Sequence, residues 1–154
     1  MHERRWVGLI SDTHGLLRPE AVERLRGAER IVHAGDVGGG PILERLESVA
    51  PVTAVRGNVD YDGRPASLPV FDVLDWEGAM IYVVHDIADL DLDPRAAGFA
   101  AVVFGHSHRP GIERRNGVLY VNPGSAGPKR FRSPVSIARL WRTNDGVEAE
   151  IVSL

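Results

Sequence analysis

Apolar residues fall along this chain in short compact runs separated by polar, glycine-containing loops. Trp6 to Ile10 is the first run and reads as a buried strand. A polar loop leads to an amphipathic segment from Pro19 to Arg26, where the proline suits a first helical turn and Ala21, Val22 and Leu25 form the apolar stripe. Ile31 to Ala34 repeats the strand pattern. A Gly38-Gly39-Gly40 loop then opens a second helix at Pro41, with Ile42, Leu43, Leu46 and Val49 facing inward. Val52 to Val55 is the third strand. Strands alternating with helices across short loops predict parallel pairing through right-handed crossovers.

Beyond a loop from Asp60 to Leu68 the pattern changes. Val70 to Leu74 and Met80 to Val84 predict two strands about a turn at Glu77-Gly78. Asp93 to Gly98 predicts a weak helix, and Ala101 to Phe104 another buried strand. From Ile112 onward the pattern is all strand, beginning with a hairpin at Asn116-Gly117, a residue pair suited to a type I′ turn. Val135 to Trp141 predicts a long strand covered on both faces, and Asn144-Asp145-Gly146 returns the chain as Val147 to Val152. With no repeat and no linker, the expectation is one mixed α/β domain over residues 1–154, built as two packed sheets with helices outside.

Composition changes that picture chiefly by exclusion. The net charge of −3 and pI near 6.1 give no basic footprint for nucleic acid. The arginines are scattered along the sequence, and Lys129 is the only lysine. Cysteine is absent, so disulfides and thiolate metal sites are excluded and any metal must sit among nitrogen and oxygen ligands. No apolar run approaches the length of a membrane span. Met1 to Trp6 enters a strand directly, without the apolar region of a signal peptide, so the expected location is the cytoplasm.

Five of the apolar runs end in metal-seeking side chains: Asp12-Thr13-His14, Gly35-Asp36, Gly57-Asn58-Val59-Asp60, Val84-His85 and Gly105-His106-Ser107-His108. Loops at the carboxyl edge of parallel strands collect ligands. Alternate spacing in an extended turn would point Asp12 and His14, and likewise His106 and His108, to one side. The preceding glycines permit close backbone approach. Three carboxylate or amide oxygens and four imidazoles suit two adjacent divalent metals. Manganese, iron, zinc and nickel all accept such ligands, with manganese favoured.

The order Asp-x-His, Gly-Asp, Gly-Asn, His, Gly-His-x-His resembles the calcineurin-like metallophosphoesterase superfamily. The short length and the Asn122-Pro123-Gly124-Ser125 segment resemble its compact bacterial and archaeal phosphodiesterases, and also the scaffold subunit of the retromer complex. The resemblance implies a four-layer α-β-β-α sandwich of two mixed sheets. It implies one metal on Asp12, His14, Asp36 and His108, and a second on Asp36, Asn58, His85 and His106. It further implies a small phosphoester substrate attacked by a metal-bridging hydroxide, with Asp36, Asn58 and His14 as the catalytic residues. The rival is a binding or scaffold module on the same fold, and self-association through strand edges is a further expectation.

Two positions depart from the superfamily pattern. Val59 replaces a histidine that assists the phosphate and leaving group in many members, and Asp86 stands where glycine is usual. Asp86 is expected to orient His85, to distort the site or to cap the next turn. Around the motifs, His33 reads as a buried, hydrogen-bonded histidine, Asp60 as support for the site, and Asn122 to Ser125 as a bracing turn. Arg64 and Arg109 are the candidates to meet phosphate, and Trp6, Trp76 and Trp141 are expected in the core.

Overall fold

The computed structural model describes residues 4–130 and 132–154. Strands β1 (Trp6–Ile10), β2 (Arg30–His33) and β3 (Val52–Ala54) are parallel neighbours, with Gly8 beside Ile31 and Val32 beside Thr53. Helices α1 (Pro19–Leu25) and α2 (Gly40–Glu47) make the crossovers, each with a proline in its first turn. Their buried residues, among them Leu25, Leu43 and Leu46, pack with Ile10 and Ile31 on the outer face of the sheet. Val49, expected on α2, lies past its end but packs against the same cluster.

The last two strands join this sheet from the other side. β9 (Ser136–Thr143) lies antiparallel to β1, with Leu9 beside Ala138, and β10 (Gly146–Ser153) forms the edge. The order is β10-β9-β1-β2-β3. β9 is covered on both faces as its pattern predicts. Ala138 and Leu140 point between the sheets and Ile137 lies under the helices. Further along, Arg4 covers the Trp141 ring at 3.8 Å and Arg139 the Trp6 ring at 4.6 Å.

The second sheet comprises β4 (Phe71–Trp76), β5 (Ala79–Val84), β6 (Ala101–Val103), β7 (Gly111–Arg115) and β8 (Val118–Asn122), in the order β4-β5-β6-β8-β7. β5, β6 and β8 are parallel, and antiparallel hairpins form both edges. Both hairpin turns, Glu77-Gly78 and Asn116-Gly117, have positive φ at their two central residues, as type I′ geometry requires. Val7, Leu9 and Val32 meet Ile81, Val83, Val103 and Val121 between the sheets. Trp76 is buried at one end of this core, its indole N–H donating to Glu29 Oε1 at 3.1 Å.

The protein is thus an α/β sandwich of two mixed sheets flanked by helices. The layer over the second sheet is thin. Ile87, Leu90, Leu92 and Phe99 cover Tyr82, Val84 and Val102 from a segment whose only helical piece among the described residues is a 3₁₀ turn at Ile87–Asp89. The helix expected at Asp93 to Gly98 is a set of turns, closed by Ala97 N–H to the Asp93 carbonyl and Gly98 N–H to that of Arg95. Six residues are too few to repay helix nucleation without a packed face. The Asp60 to Leu68 loop, conversely, contains a one-turn helix, α3 (Gly63–Ala66). No helix among the described residues is long and apolar enough to cross a membrane.

Ile81 is fully buried between the sheets. Ile81→Ala is expected to destabilise the fold by about 2–5 kcal/mol through lost burial and a residual cavity. Urea unfolding checks this, with a lower midpoint and an unchanged slope as the expected result.

Candidate metal centre

The carboxyl ends of β1, β2, β3, β5 and β6 meet at one edge of the sandwich, and each carries one of the sequence motifs. The chain reaches the site through tight left-handed turns rather than the extended geometry expected for the Asp-x-His and His-x-His pairs. Asp12, His14, Asp36, His106 and His108 have φ of 55°, 47°, 57°, 73° and 62°. They are five of the seven non-glycine residues with positive φ among those described. Aspartate and histidine tolerate this region better than most residues, yet such conformations cost roughly 1–3 kcal/mol each and cluster where function demands them. The turns are laced together, with Asp12 N–H donating to the Gly35 carbonyl at 3.0 Å and His14 N–H to that of Asp36 at 2.9 Å.

Two glycines are required by the crowding that follows. A Cβ on Gly57 would overlap the Asp36 carboxylate and backbone, and one on Gly105 would overlap Ser11 Oγ and Asp12 Oδ2.

All seven expected side chains come together, and they fall into two groups. Asp12, His14 and His108 converge at one point, and Asp36, His85 and His106 at a second. Asp36 Oδ2 stands 3.1 Å from His85 Nε2 and 3.5 Å from His14 Nε2, so it faces both groups. Asn58 Oδ1 lies 3.0 Å from His85 Nε2 and 3.2 Å from His106 Nδ1.

The hydrogen bonds around His85 fix what this convergence means. Its Nδ1 lies 2.7 Å from the Ala34 carbonyl, which can only accept, so Nδ1 carries the proton. In the neutral ring Nε2 is then a lone pair, aimed at Asn58 Oδ1, Asp36 Oδ2 and, at 3.9 Å, Asp12 Oδ1. In that neutral ring lone pair faces lone pair, a conflict that a bound cation or a proton on His85 would relieve. Asp12 makes the same point. Its Oδ2 accepts from Ser11 Oγ at 2.7 Å and His106 N–H at 3.1 Å, but its buried Oδ1 has no hydrogen-bond donor. Around Oδ1 are His108 Nε2 at 3.3 Å and His14 Nε2 at 3.7 Å.

The pKa directions follow. Burial pushes the Asp12 carboxyl up, but the His14 ring, the Ser11 hydroxyl and the His85 and His108 rings outweigh it and hold it below its ordinary value. Burial also opposes the Asp36 carboxylate, which His85 and the Val59 N–H hold low. Burial disfavours a charged His85, yet Asp36 and Asp12 raise its pKa. Without a metal, a proton on His85 is the nearest available compensation.

A layer beneath braces the centre. Asp60, read as support for the site, is buried and accepts from Val37, Gly38 and Gly57 N–H groups at 3.0–3.1 Å, tying the Asp36 and Asn58 loops together. Asn122 donates to the Gly105 carbonyl and to Ser107 Oγ, both at 3.2 Å, and Ser125 Oγ lies 3.1 Å from the Asp12 carbonyl. His33 is fully buried as expected. Its Nδ1 accepts from Gly35 N–H, so its Nε2–H donates to Thr13 Oγ1, which in turn donates to the Val37 carbonyl. Ser11 and Thr13 were not singled out by the sequence reasoning. Their position flanking Asp12 was the available signal.

Residues 6–145 match the family model of the calcineurin-like phosphoesterase superfamily domain. The chain belongs to that superfamily. It is 32% identical to the probable metallophosphoesterase MJ0623 of Methanocaldococcus jannaschii, over 96% of this chain and 81% of the relative. It is 31% identical to phosphodiesterase YfcE of Escherichia coli, over 84% of each. Among solved structures, a novel archaeal phosphodiesterase superimposes with a TM-score of 0.79 at 21% identity, covering 97% of this chain and 99% of that one. Vps29 of Entamoeba histolytica complexed with zinc superimposes at 0.73 and 21% identity, covering 96% and 98%. Both share the fold.

Against that superfamily the two departures acquire definite surroundings. Val59 offers only its N–H, which is committed to Asp36 Oδ1 at 3.0 Å. Asp86 does not orient His85, whose ring is held by the Ala34 carbonyl. Its Oδ1 caps Ala88 N–H at 3.0 Å and its Oδ2 lies 3.7 Å from His106 Nε2. Side chains alternate at a strand end, so successive residues 85 and 86 address different neighbours. Arg64, one candidate for phosphate, is instead held bidentately by Glu47 at 2.7 and 2.9 Å, whereas Arg109 is exposed.

Burial lowers the His33 pKa to about 4, below the ordinary value of 6.5. Above pH 6.5 both folded and unfolded states hold it neutral and its contribution is complete. Between pH 6.5 and 4 only the unfolded state takes up the proton, so stability falls with pH by about 1.4 kcal/mol per unit from this group. Urea titrations of the wild type and His33→Asn across that range are expected to show the steeper loss in the wild type. Parallel slopes would contradict the buried neutral ring.

Proposed function

We propose that this protein is a phosphoesterase dependent on two divalent cations and that its substrates are phosphodiesters. The observation that carries the reading is the arrangement of lone pairs on His85 and Asp12, which demands positive charge among buried acidic oxygens. Asp12, His14, Asp36 and His108 would hold one cation, and Asp36, Asn58, His85 and His106 the other. Cations bound there would supply Lewis-acid charge for phosphoryl oxygens and acidify a coordinated water.

The residues of the chain divide the remaining tasks. The Val59 N–H pins Asp36 Oδ1, leaving Oδ2 to be shared between the two groups. Asn58 turns its carbonyl oxygen toward His85 and His106, which leaves its amide N–H groups to donate to a substrate phosphoryl oxygen. Asn58 and His106 are the exposed members of the set and His14 is half-buried, so these three stand where substrate would enter. With valine at position 59, no imidazole is available there to protonate a departing alkoxide. Diesters with good leaving groups are therefore favoured over monoesters.

The phosphodiesterase name of the Escherichia coli relative supports this reading. A scaffold role on the Vps29-like fold is the alternative. Retention of all seven side chains, five of them on strained left-handed turns, favours the enzyme, because a docking surface has no need of them.

Hydrolysis of bis(4-nitrophenyl) phosphate with added manganese tests the proposal. Wild-type protein is expected to turn it over, and Asp36→Asn to lose at least about 100-fold. Full turnover in that variant would remove the shared role of Asp36. An inactive wild type with manganese, iron, zinc and nickel, whose melting temperature nevertheless rises with metal, would favour the scaffold.

A further inference from the structure

Two clefts differ in charge: one is lined by members of the metal centre itself, the other in part by residues that adjoin His108 in sequence. On the His106 side, a cleft of about 200 Å³ is bordered by Asp86 and Asp89. The guanidinium sharing it, Arg56, donates to the Ala66 carbonyl at 3.2 Å. On the His108 side, a cleft of about 870 Å³ is lined by Arg109, Arg130 and Arg132 together with Ser107 and Ser133, and no carboxylate lines it. Among the described residues none of these three guanidiniums has a salt-bridge partner, so their charge is free to meet a ligand. Three arginines that look dispersed in the sequence are brought by the fold to one cleft.

Both walls of this cleft are rooted in the site itself. Ser107 and Arg109 flank His108 in sequence. Ser107 Oγ accepts from Asn122 Nδ2 at 3.2 Å and from Arg109 N–H at 3.3 Å, so its own proton is left to donate. The opposite wall follows Ser125, which reaches the Asp12 carbonyl, and Ala126, whose N–H donates to the Ser11 carbonyl at 3.1 Å.

We propose that the cleft bearing Arg109, Arg130 and Arg132 is a subsite for a second anionic group, so that the preferred substrates are small phosphodiesters carrying an additional phosphate or carboxylate. Guanidiniums recognise such groups through planar, charge-assisted hydrogen bonds. The Asp86 and Asp89 carboxylates disfavour the same group in the other cleft. The proposal rests on the phosphodiesterase reading and names the class of substrate it leaves open.

Two pairs of probes test it with the manganese-loaded protein. Thymidine 5′-(4-nitrophenyl phosphate), with and without a 3′-phosphate, reports turnover, and thymidine 3′,5′-bisphosphate against thymidine 5′-monophosphate reports binding by calorimetry. The extra phosphate is expected to raise kcat/KM and affinity by about tenfold or more. Both gains should fall toward unity in Arg130→Gln and in Arg109→Gln. Equal affinity for the two nucleotides in the wild type, or a gain that persists in both variants, would overturn the subsite. Turnover without any gain would leave the phosphodiesterase standing and sink the subsite. A binding gain with no turnover of either diester would do the reverse.

Discussion

The Asp12 carboxylate is fully buried, and one of its oxygens faces only imidazole nitrogens. A buried charge without compensation costs several kcal/mol, and the chain adds to that a second carboxylate, Asp36, and an amide oxygen at the same edge. His85 makes the problem specific. Because its Nδ1–H is committed to the Ala34 carbonyl, the ring presents a lone pair to every acidic oxygen it faces. The centre is balanced only when positive charge occupies it.

Much of the remaining architecture can be understood as holding that unfavourable arrangement in place. Parallel strands from both sheets end at one edge, left-handed turns bring the candidate side chains together, and Gly57 and Gly105 allow neighbouring loops to close to contact distance. Asp60 and Asn122 tie these loops through backbone N–H groups and carbonyls. Such strain persists only where the surroundings over-determine it. The dry layer of Leu9, Val32, Ile81 and Val103 between the sheets supplies that rigidity.

The sequence made the first sheet's parallel core and the clustering of the seven candidate side chains legible because both depend on local signals. β1, β2 and β3 end in apolar runs, and each is followed by a motif of fixed spacing. The Asn116-Gly117 hairpin was legible for the same reason, since its turn chemistry is local. What escaped depended on contacts distant in sequence. Nothing local tells that β9 pairs antiparallel with β1, more than a hundred residues away in the chain, or that Ser11 and Thr13 would anchor the Asp12 turn. The Asp93 to Gly98 segment has weak helical periodicity, and the sheet face beneath is covered by residues outside it, Ile87, Leu90, Leu92 and Phe99. Arg130 and Arg109 are scattered in sequence and adjacent only in the fold.

The central claim is that two divalent cations share Asp36 at this edge. Manganese titration of metal-stripped protein, followed by electron paramagnetic resonance, tests it most directly. Two manganese ions per chain with the multiline spectrum of an exchange-coupled pair is the predicted result. A single bound ion, or two ions with only the six-line pattern of isolated manganese, would contradict it.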